Sequence, residues 1–372
     1  MQPIRVLVVD DTVVVRRLVT DVLSGLPDIE VAGTAAHGRL ALTQIPLLAP
    51  DVVTLDVEMP VMDGLETLAE IRRRWPKLPV IMFSTLTSAG AGATLDALAL
   101  GANDYVTKPT ASRDRQAAMD SVRAALVPLV RLWGRPRRFE GAAPPADGAA
   151  PRPGAQHWAP QQLPQQPARH RQPGAPLGVV IGVSTGGPQA LSRIVPRLPR
   201  GLGVPIVIVQ HMPPVFTRFL AERLDATSEV PVVEAADLMP AQPGRVHIAA
   251  GGAHLRLETV RGEVILRHDD GEMENSCKPA VDVTLRSALK VWGGRTLTVI
   301  LTGMGSDGLA GTRALHAAGG RVLAQDPETS VVWGMPGAVV KAGLAHAVLP
   351  LDDIAPAVLT ALDGAPDRMG AR

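Results

Sequence analysis

Short runs of Val, Ile and Leu alternate with amphipathic stretches along almost the whole chain, and this alternation restricts the fold more than any other feature. IRVLVVD, DVVTLD, PVIMFS and DYVTKP are near-continuous apolar runs, and VVVRRLVTDVL, GLETLAEIRRRW and ATLDALALG between them have helical spacing. Strands that are apolar on both faces and separated by helices belong to a parallel sheet covered on both sides, so the first block is predicted as a doubly wound α/β domain. From LGVVIGVS onward the pattern restarts through PIVIVQH, RVHIAA, HLRLE, TLTVILTG and RVLAQD. This predicts a second doubly wound α/β unit with some antiparallel pairs, and 372 residues agree with two domains.

The stretch between the blocks, Arg131 to Pro176, is rich in Pro, Gln, Ala and Gly, and holds seven arginines against Glu140 and Asp147. Without a period of 2 or 3.6 it reads as a semi-extended tether. The expected division is therefore a domain over 4–122, a helix end and tether over 123–176, and a second domain over 177–363. The single thiol, Cys277, excludes an intramolecular disulfide and a Cys-rich zinc site, which fits a reducing cytoplasm. No leader-like segment opens the chain, and no uncharged apolar segment approaches the ~20 residues that cross a bilayer. Membrane insertion is not expected. A net charge of +1 gives no general attraction to nucleic acid, and none is expected as a partner.

In an open parallel sheet the functional crevice lies beyond the carboxyl ends of the strands. In the first block those ends carry Asp10 and Asp11, Asp56, Ser84, and Thr107-Lys108-Pro109. One strand-terminal Asp is usually a turn former or helix cap. Several carboxylates at one edge repel each other and require a hard cation, for which Mg²⁺ is the expectation. Asp56 then fits a phosphoryl-accepting nucleophile, with the cation and Lys108 neutralising the transferring oxygens and Ser84 donating a hydrogen bond.

Gly182-Val183-Ser184-Thr185-Gly186 matches G-x-S-x-G directly after a strand, and Gly187-Pro188 opens a helix. Alone the motif also describes an anion-binding nest. A serine nucleophile needs a base, and His211 follows the strand PIVIVQ, which brings it to the same sheet edge. His157 and His170 lie in the tether, whereas His247, His254, His268, His316 and His346 read as packed or surface imidazoles. The orienting acid is expected in the glycine-rich turn after TLTVILTG, at Asp307, with Asp282 as the rival. The order Ser, His, Asp differs from that of α/β-hydrolases, but geometry rather than order defines a triad.

VVDD, TLDVEMPVMDG, FSTLT and YVTKP resemble the receiver domain of response regulators. That resemblance implies phosphorylation at Asp56 by a sensor histidine kinase. It also implies Mg²⁺ held by Asp10, Asp11, Asp56 and the Glu58 carbonyl, phosphoryl contacts from Ser84 and Lys108, and Tyr105 as the switching aromatic.

IGVSTGGPQAL, VQHMPPVFTRFLAERL, KPAVD, LTGMGSDG and AQDPETSVVWGMP look like the catalytic domain of chemotaxis protein-glutamate methylesterases, the CheB family. The resemblance implies Ser184 as nucleophile, His211 as base and then acid, and Asp307 fixing the imidazole. The Met304 and Thr185 N–H groups would form the oxyanion hole. It further implies hydrolysis of glutamyl methyl esters and deamidation of glutamines on the cytoplasmic helices of chemoreceptors, without a cofactor at that site. The receiver would pack over the cleft until phosphorylated. Ala280 stands where the family often has Ser, and Ala250 where it has Pro. A DNA-binding regulator is the rival reading, and no short helix-turn-helix tail supports it.

Overall fold

The computed structural model describes residues 2–109, 114–134 and 174–363. The first unit holds strands β1 Ile4–Val9, β2 Ile29–Ala35, β3 Val52–Asp56, β4 Val80–Ser84 and β5 Asp104–Thr107. Helices α1 Val13–Leu23, α2 Gly38–Leu48, α3 Gly64–Arg74, α4 Ser88–Ala99 and α5 Arg115–Trp133 alternate with them. The strand order is β2-β1-β3-β4-β5, all pairs parallel. Val52 through Asp56 and Val80 through Ser84 are buried throughout, which is why these strands read as unbroken apolar runs. Helix α3 starts on a reciprocal Asp63–Glu66 capping box and ends on Arg72, Arg73 and Arg74, where the helix dipole favours cations.

The second unit has a seven-stranded parallel sheet in the order β15-β14-β13-β6-β7-β10-β8. Its strands are β6 Gly178–Val183, β7 Ile206–Gln210, β8 Val232–Glu234, β10 Val246–Ile248, β13 Thr296–Ile300, β14 Arg321–Gln325 and β15 Ala347–Leu349. Helices α6 Gly187–Ile194, α7 Phe216–Thr227, α8 Val281–Trp292, α9 Leu309–Ala317, α10 Met335–Lys341 and α11 Leu351–Leu362 accompany it. The expected antiparallel pairs form a separate three-stranded sheet, in which β12 Glu263–Asp269 lies between β11 His254–Val260 and β9 Met239–Pro240. The chain winds outward from β6 through β7 in one direction and returns at β13 to wind in the other. That reversal leaves a crevice at the carboxyl ends of β13, β6 and β7.

Helix α5 runs to Trp133, and its Leu126, Val127, Leu129 and Val130 pack into the core of the first unit with Val6, Ile81 and Phe83. The tether proper, with Phe139, His157, Trp158 and His170, lies outside the described residues. The two units share apolar contacts in which Leu95 and Leu98 of α4 join a cluster with Leu191 and Leu220. At this boundary Gln189 Nε2 donates to the Ala102 carbonyl at 3.2 Å, and Arg223 lies 2.6 Å from the Asp96 carboxylate. No helix among the described residues is long and apolar enough to cross a membrane.

Candidate active site

Three adjacent parallel strands deliver the three triad candidates. Ser184 follows β6, His211 follows β7, and Asp307 lies in the turn after β13. The turn at Ser184 depends on Gly186, which sits at φ 77° and where a Cβ would come within 2.6 Å of Val331. Only glycine fits such a position. Gln210, buried at the end of β7, donates from Nε2 to the carbonyls of both Ser184 (3.0 Å) and His211 (3.2 Å), tying the two turns together.

His211 Nε2 donates to Asp307 Oδ2 at 2.7 Å, because a carboxylate can only accept. Asp307 also receives the backbone N–H groups of Val281 (2.7 Å), Asp282 (3.1 Å) and Gly308 (2.9 Å), and the Asn275 amide at 2.9 Å. Burial favours its neutral form, but His211 and the Val281 and Asp282 N–H groups outweigh this and hold the carboxyl below its ordinary range. Burial likewise disfavours the His211 cation, yet Asp307 and Cys277 push the imidazole up to about 9. Among the described residues the rival acid, Asp282, makes no hydrogen bond to His211. Its Oδ1 accepts from Gly311 N at 2.7 Å, and it shares the Asn275 amide with Asp307.

Sequence reasoning missed Cys277, Asn275 and Gln210. The Cys277 sulfur lies 3.4 Å from His211 Nδ1, and Asn275 bridges the two buried carboxylates. Only their nearness to KPAVD and PIVIVQH could have marked them. His254 braces their loop, accepting from Ala280 N at 3.1 Å through Nδ1 and contacting the Glu272 carbonyl at 2.8 Å through Nε2. His247 is a packed imidazole, pushed down to about 4 by burial.

Ser184, Thr185, His211, Cys277 and Met304 line a cleft of about 940 Å³ whose opposite wall is built by Tyr105 of β5 and by Ala124, Ala125, Pro128 and Leu129 of α5. The Thr185 and Met304 N–H groups have no hydrogen-bond partner among the described residues. The first unit thus faces the catalytic candidates of the second.

At the carboxyl edge of the first sheet, Lys108 Nζ lies 2.8 Å from both Asp10 Oδ2 and Asp56 Oδ2. Carboxylate oxygens of Asp10, Asp11 and Asp56 lie within 4.8 Å of one another, an all-oxygen set that fits a hard divalent cation. Burial pushes Asp56 up to about 6, Asp10 adds to this, and Lys108 opposes it. Glu58 N approaches Asp56 Oδ1 at 3.4 Å. The Ser84 hydroxyl turns the other way, donating to the Gly90 carbonyl at 3.0 Å. Tyr105 is held between the two units rather than in the acidic pocket, with its ring against Phe216.

A family model described as CheB methylesterase matches residues 179–358, and one described as response regulator receiver domain matches residues 6–120. A protein-glutamate methylesterase/protein-glutamine glutaminase of Nocardioides sp. is 50% identical over 366 residues, covering 97% of this chain and 96% of that protein. Another, of Trichodesmium erythraeum, is 44% identical over 365 residues, with 96% and 99% covered. The crystal structure of the Thermotoga maritima CheB methylesterase catalytic domain is 47% identical, covers 50% of this chain and 98% of that one, and superposes with a TM-score of 0.49.

Proposed function

This chain belongs to the protein-glutamate methylesterase/protein-glutamine glutaminase family of CheB type, with a receiver domain in front, and from that premise we propose how its residues divide the work. Its function is hydrolysis of glutamyl methyl esters and glutamine amides under phosphorylation control, in chemotactic adaptation. The receiver is assigned to 4–122, the helix end and tether to 123–176, and the catalytic domain to 177–363. The substrate is assigned as the cytoplasmic helices of chemoreceptors, which places the enzyme in the cytoplasm.

Ser184 is the nucleophile. His211 Nδ1 takes the hydroxyl proton as the serine oxygen attacks the ester or amide carbonyl. The carbonyl oxygen becomes an oxyanion, received by the Thr185 and Met304 N–H groups, each worth roughly 3 kcal/mol in such sites. The imidazolium then returns its proton to the leaving methoxide or amide nitrogen, releasing methanol or ammonia. A water molecule, deprotonated by the same nitrogen, cleaves the acyl-serine to give glutamate. Asp307 keeps Nε2 protonated so that Nδ1 remains the acceptor. The His211–Asp307 contact of 2.7 Å at the edge shared by three neighbouring strands carries this reading. It needs no cofactor at the esterase site.

In the receiver, Asp56 accepts phosphate from a sensor histidine kinase. Asp10, Asp11, Asp56 and the Glu58 carbonyl would hold Mg²⁺, which would neutralise charge on the transferring oxygens. Lys108 exchanges its carboxylate partners for the phosphoryl group, and Ser84 joins them once its hydroxyl leaves the Gly90 carbonyl. The Tyr105 and α5 wall restricts the cleft, and phosphorylation weakens that packing, a two-state bias of a few kcal/mol.

Methanol release from methylated receptor membranes tests the whole scheme. Ser184→Ala is expected to abolish release, and Asp56→Asn to retain basal release while losing acid-labile phosphate and stimulation. Turnover by Ser184→Ala would exclude the nucleophile assignment.

A further inference from the structure

Two side chains compete for one nitrogen of the catalytic imidazole. Asp307 occupies Nε2 at 2.7 Å, so Nδ1 is the only nitrogen left for Ser184. In the structure that nitrogen faces Cys277 Sγ at 3.4 Å, and among the described residues the Ser184 hydroxyl makes no hydrogen bond to His211. If the imidazole is neutral, the thiol donates to Nδ1; if it is protonated, Nδ1–H donates to sulfur. In both states Nδ1 is engaged by sulfur.

The thiol is held there by its loop. Glu274 and Cys277 exchange both backbone hydrogen bonds, Cys277 N to Glu274 O at 2.9 Å and Glu274 N to Cys277 O at 3.2 Å. Asn275 and Ser276 between them take positive φ of 53° and 61°, and the Asn275 amide is anchored on Asp282 and Asp307. The same loop therefore supports the orienting acid and presents sulfur to the base.

We propose that Cys277 is a positioning residue that holds His211 Nδ1 in the resting protein, and that the imidazole exchanges this sulfur for the Ser184 oxygen when the receiver is phosphorylated. The proposal rests on the triad reading above. Thiol sulfur is a weak partner whether it donates or accepts, so a serine hydroxyl displaces it at small cost, whereas a stronger donor would lock the base. Asp307 and Cys277 together push the imidazole up, toward the protonated form that cannot accept the serine proton. Releasing the sulfur removes one of the two groups that hold this proton. The titratable side chains in direct contact with it are those of Asp307 and Cys277. Behind them lie Asp282, Glu274 paired with Arg286, and Lys278, which turns to the Asp270 carbonyl; Asp104 and Tyr105 of the receiver share the cleft wall.

The test uses full-length protein and methylated receptor membranes, with and without acetyl phosphate and Mg²⁺, for wild type, Cys277→Ala and Cys277→Ser. Cys277→Ala is expected to raise unphosphorylated kcat/KM about five-fold at pH 7, the fold-change of one neutral hydrogen bond. It should also move the acid limb of the pH profile to lower pH and leave the phosphorylated rate close to wild type. Cys277→Ser, which puts a stronger donor on that nitrogen, should lower the unphosphorylated rate below wild type. The His211 titration followed by NMR in the Ser184→Ala background should drop in either cysteine variant, a readout independent of turnover. Profiles and titrations that superimpose on wild type, or an equal loss of rate in both phosphorylation states, would overturn the proposal. Turnover persisting in Ser184→Ala would instead sink the triad reading.

Discussion

The Tyr105 ring, at the last strand of the receiver, lies flat on the Phe216 ring at the first residue of α7, with centroids 4.9 Å apart and planes 10° apart. Phe216 is fully buried, and it follows Val215, whose φ of 75° is unusual for a β-branched residue. From α7 the chain leads back through the 212–215 loop to His211. The Tyr105 ring thus bears on the element that follows the His211 loop.

Tyr105→Leu and Phe216→Leu should each raise the activity of the unphosphorylated enzyme. In a double-mutant cycle the pair should show a coupling of about 0.5–1.5 kcal/mol, typical of stacked aromatics. Basal methanol release and thermal melts of all four proteins measure it, and strictly additive effects would exclude the stack as a coupling element.

Asp307→Asn should leave the fold intact but lower kcat by about 10⁴-fold, because an amide can hold the imidazole in the wrong tautomer. Asp282→Asn should cost far less, since Asp282 contacts Gly311 and Asn275 rather than His211. Comparable losses in the two variants would return Asp282 to contention.

Asp104 is expected to make stability fall as pH rises. Its carboxyl is raised by burial from its ordinary 3.8 to about 7. The stabilisation of its neutral form is complete below about pH 4 and is lost as pH rises through about 7. Asp104→Asn should therefore match wild type near pH 4 and exceed it at pH 8 by at most about 4 kcal/mol, three pK shifts of 1.4 kcal/mol each. Tm measured across that range decides, and parallel curves would refute it.

Gly186→Ala places a Cβ at φ 77° and within 2.6 Å of Val331. A loss of about 1–3 kcal/mol of stability is expected, with a larger proportional loss of kcat because the same turn aims Ser184. Wild-type kinetics in this variant would show that the turn tolerates a side chain.

Much of both sites was legible in the chain because parallel strands bring their carboxyl ends to one edge. A residue directly after a buried apolar run is placed by that fact alone, which is how Asp10, Asp56, Lys108, Ser184 and His211 could be picked out. Asp307 required a choice between two acids. The adjacency of β13 and β6 brings Asp307 within 2.7 Å of His211, and no local pattern encodes that adjacency. Ser84 was rightly placed at a strand end, but the direction of its hydroxyl depends on the first turn of α4.

What the sequence determined by itself, then, was periodicity and strand-end chemistry: two doubly wound units, an acidic edge, and a serine and histidine at a second edge. Tertiary structure alone decided which groups meet across long stretches of chain. Cys277 reaches His211 from 66 residues away, Asn275 spans two carboxylates, and Tyr105 meets Phe216 across a domain boundary. Hydrophobic periodicity reports which face of an element is buried, whereas these contacts depend on how loops close and how two rigid sheets are set against each other.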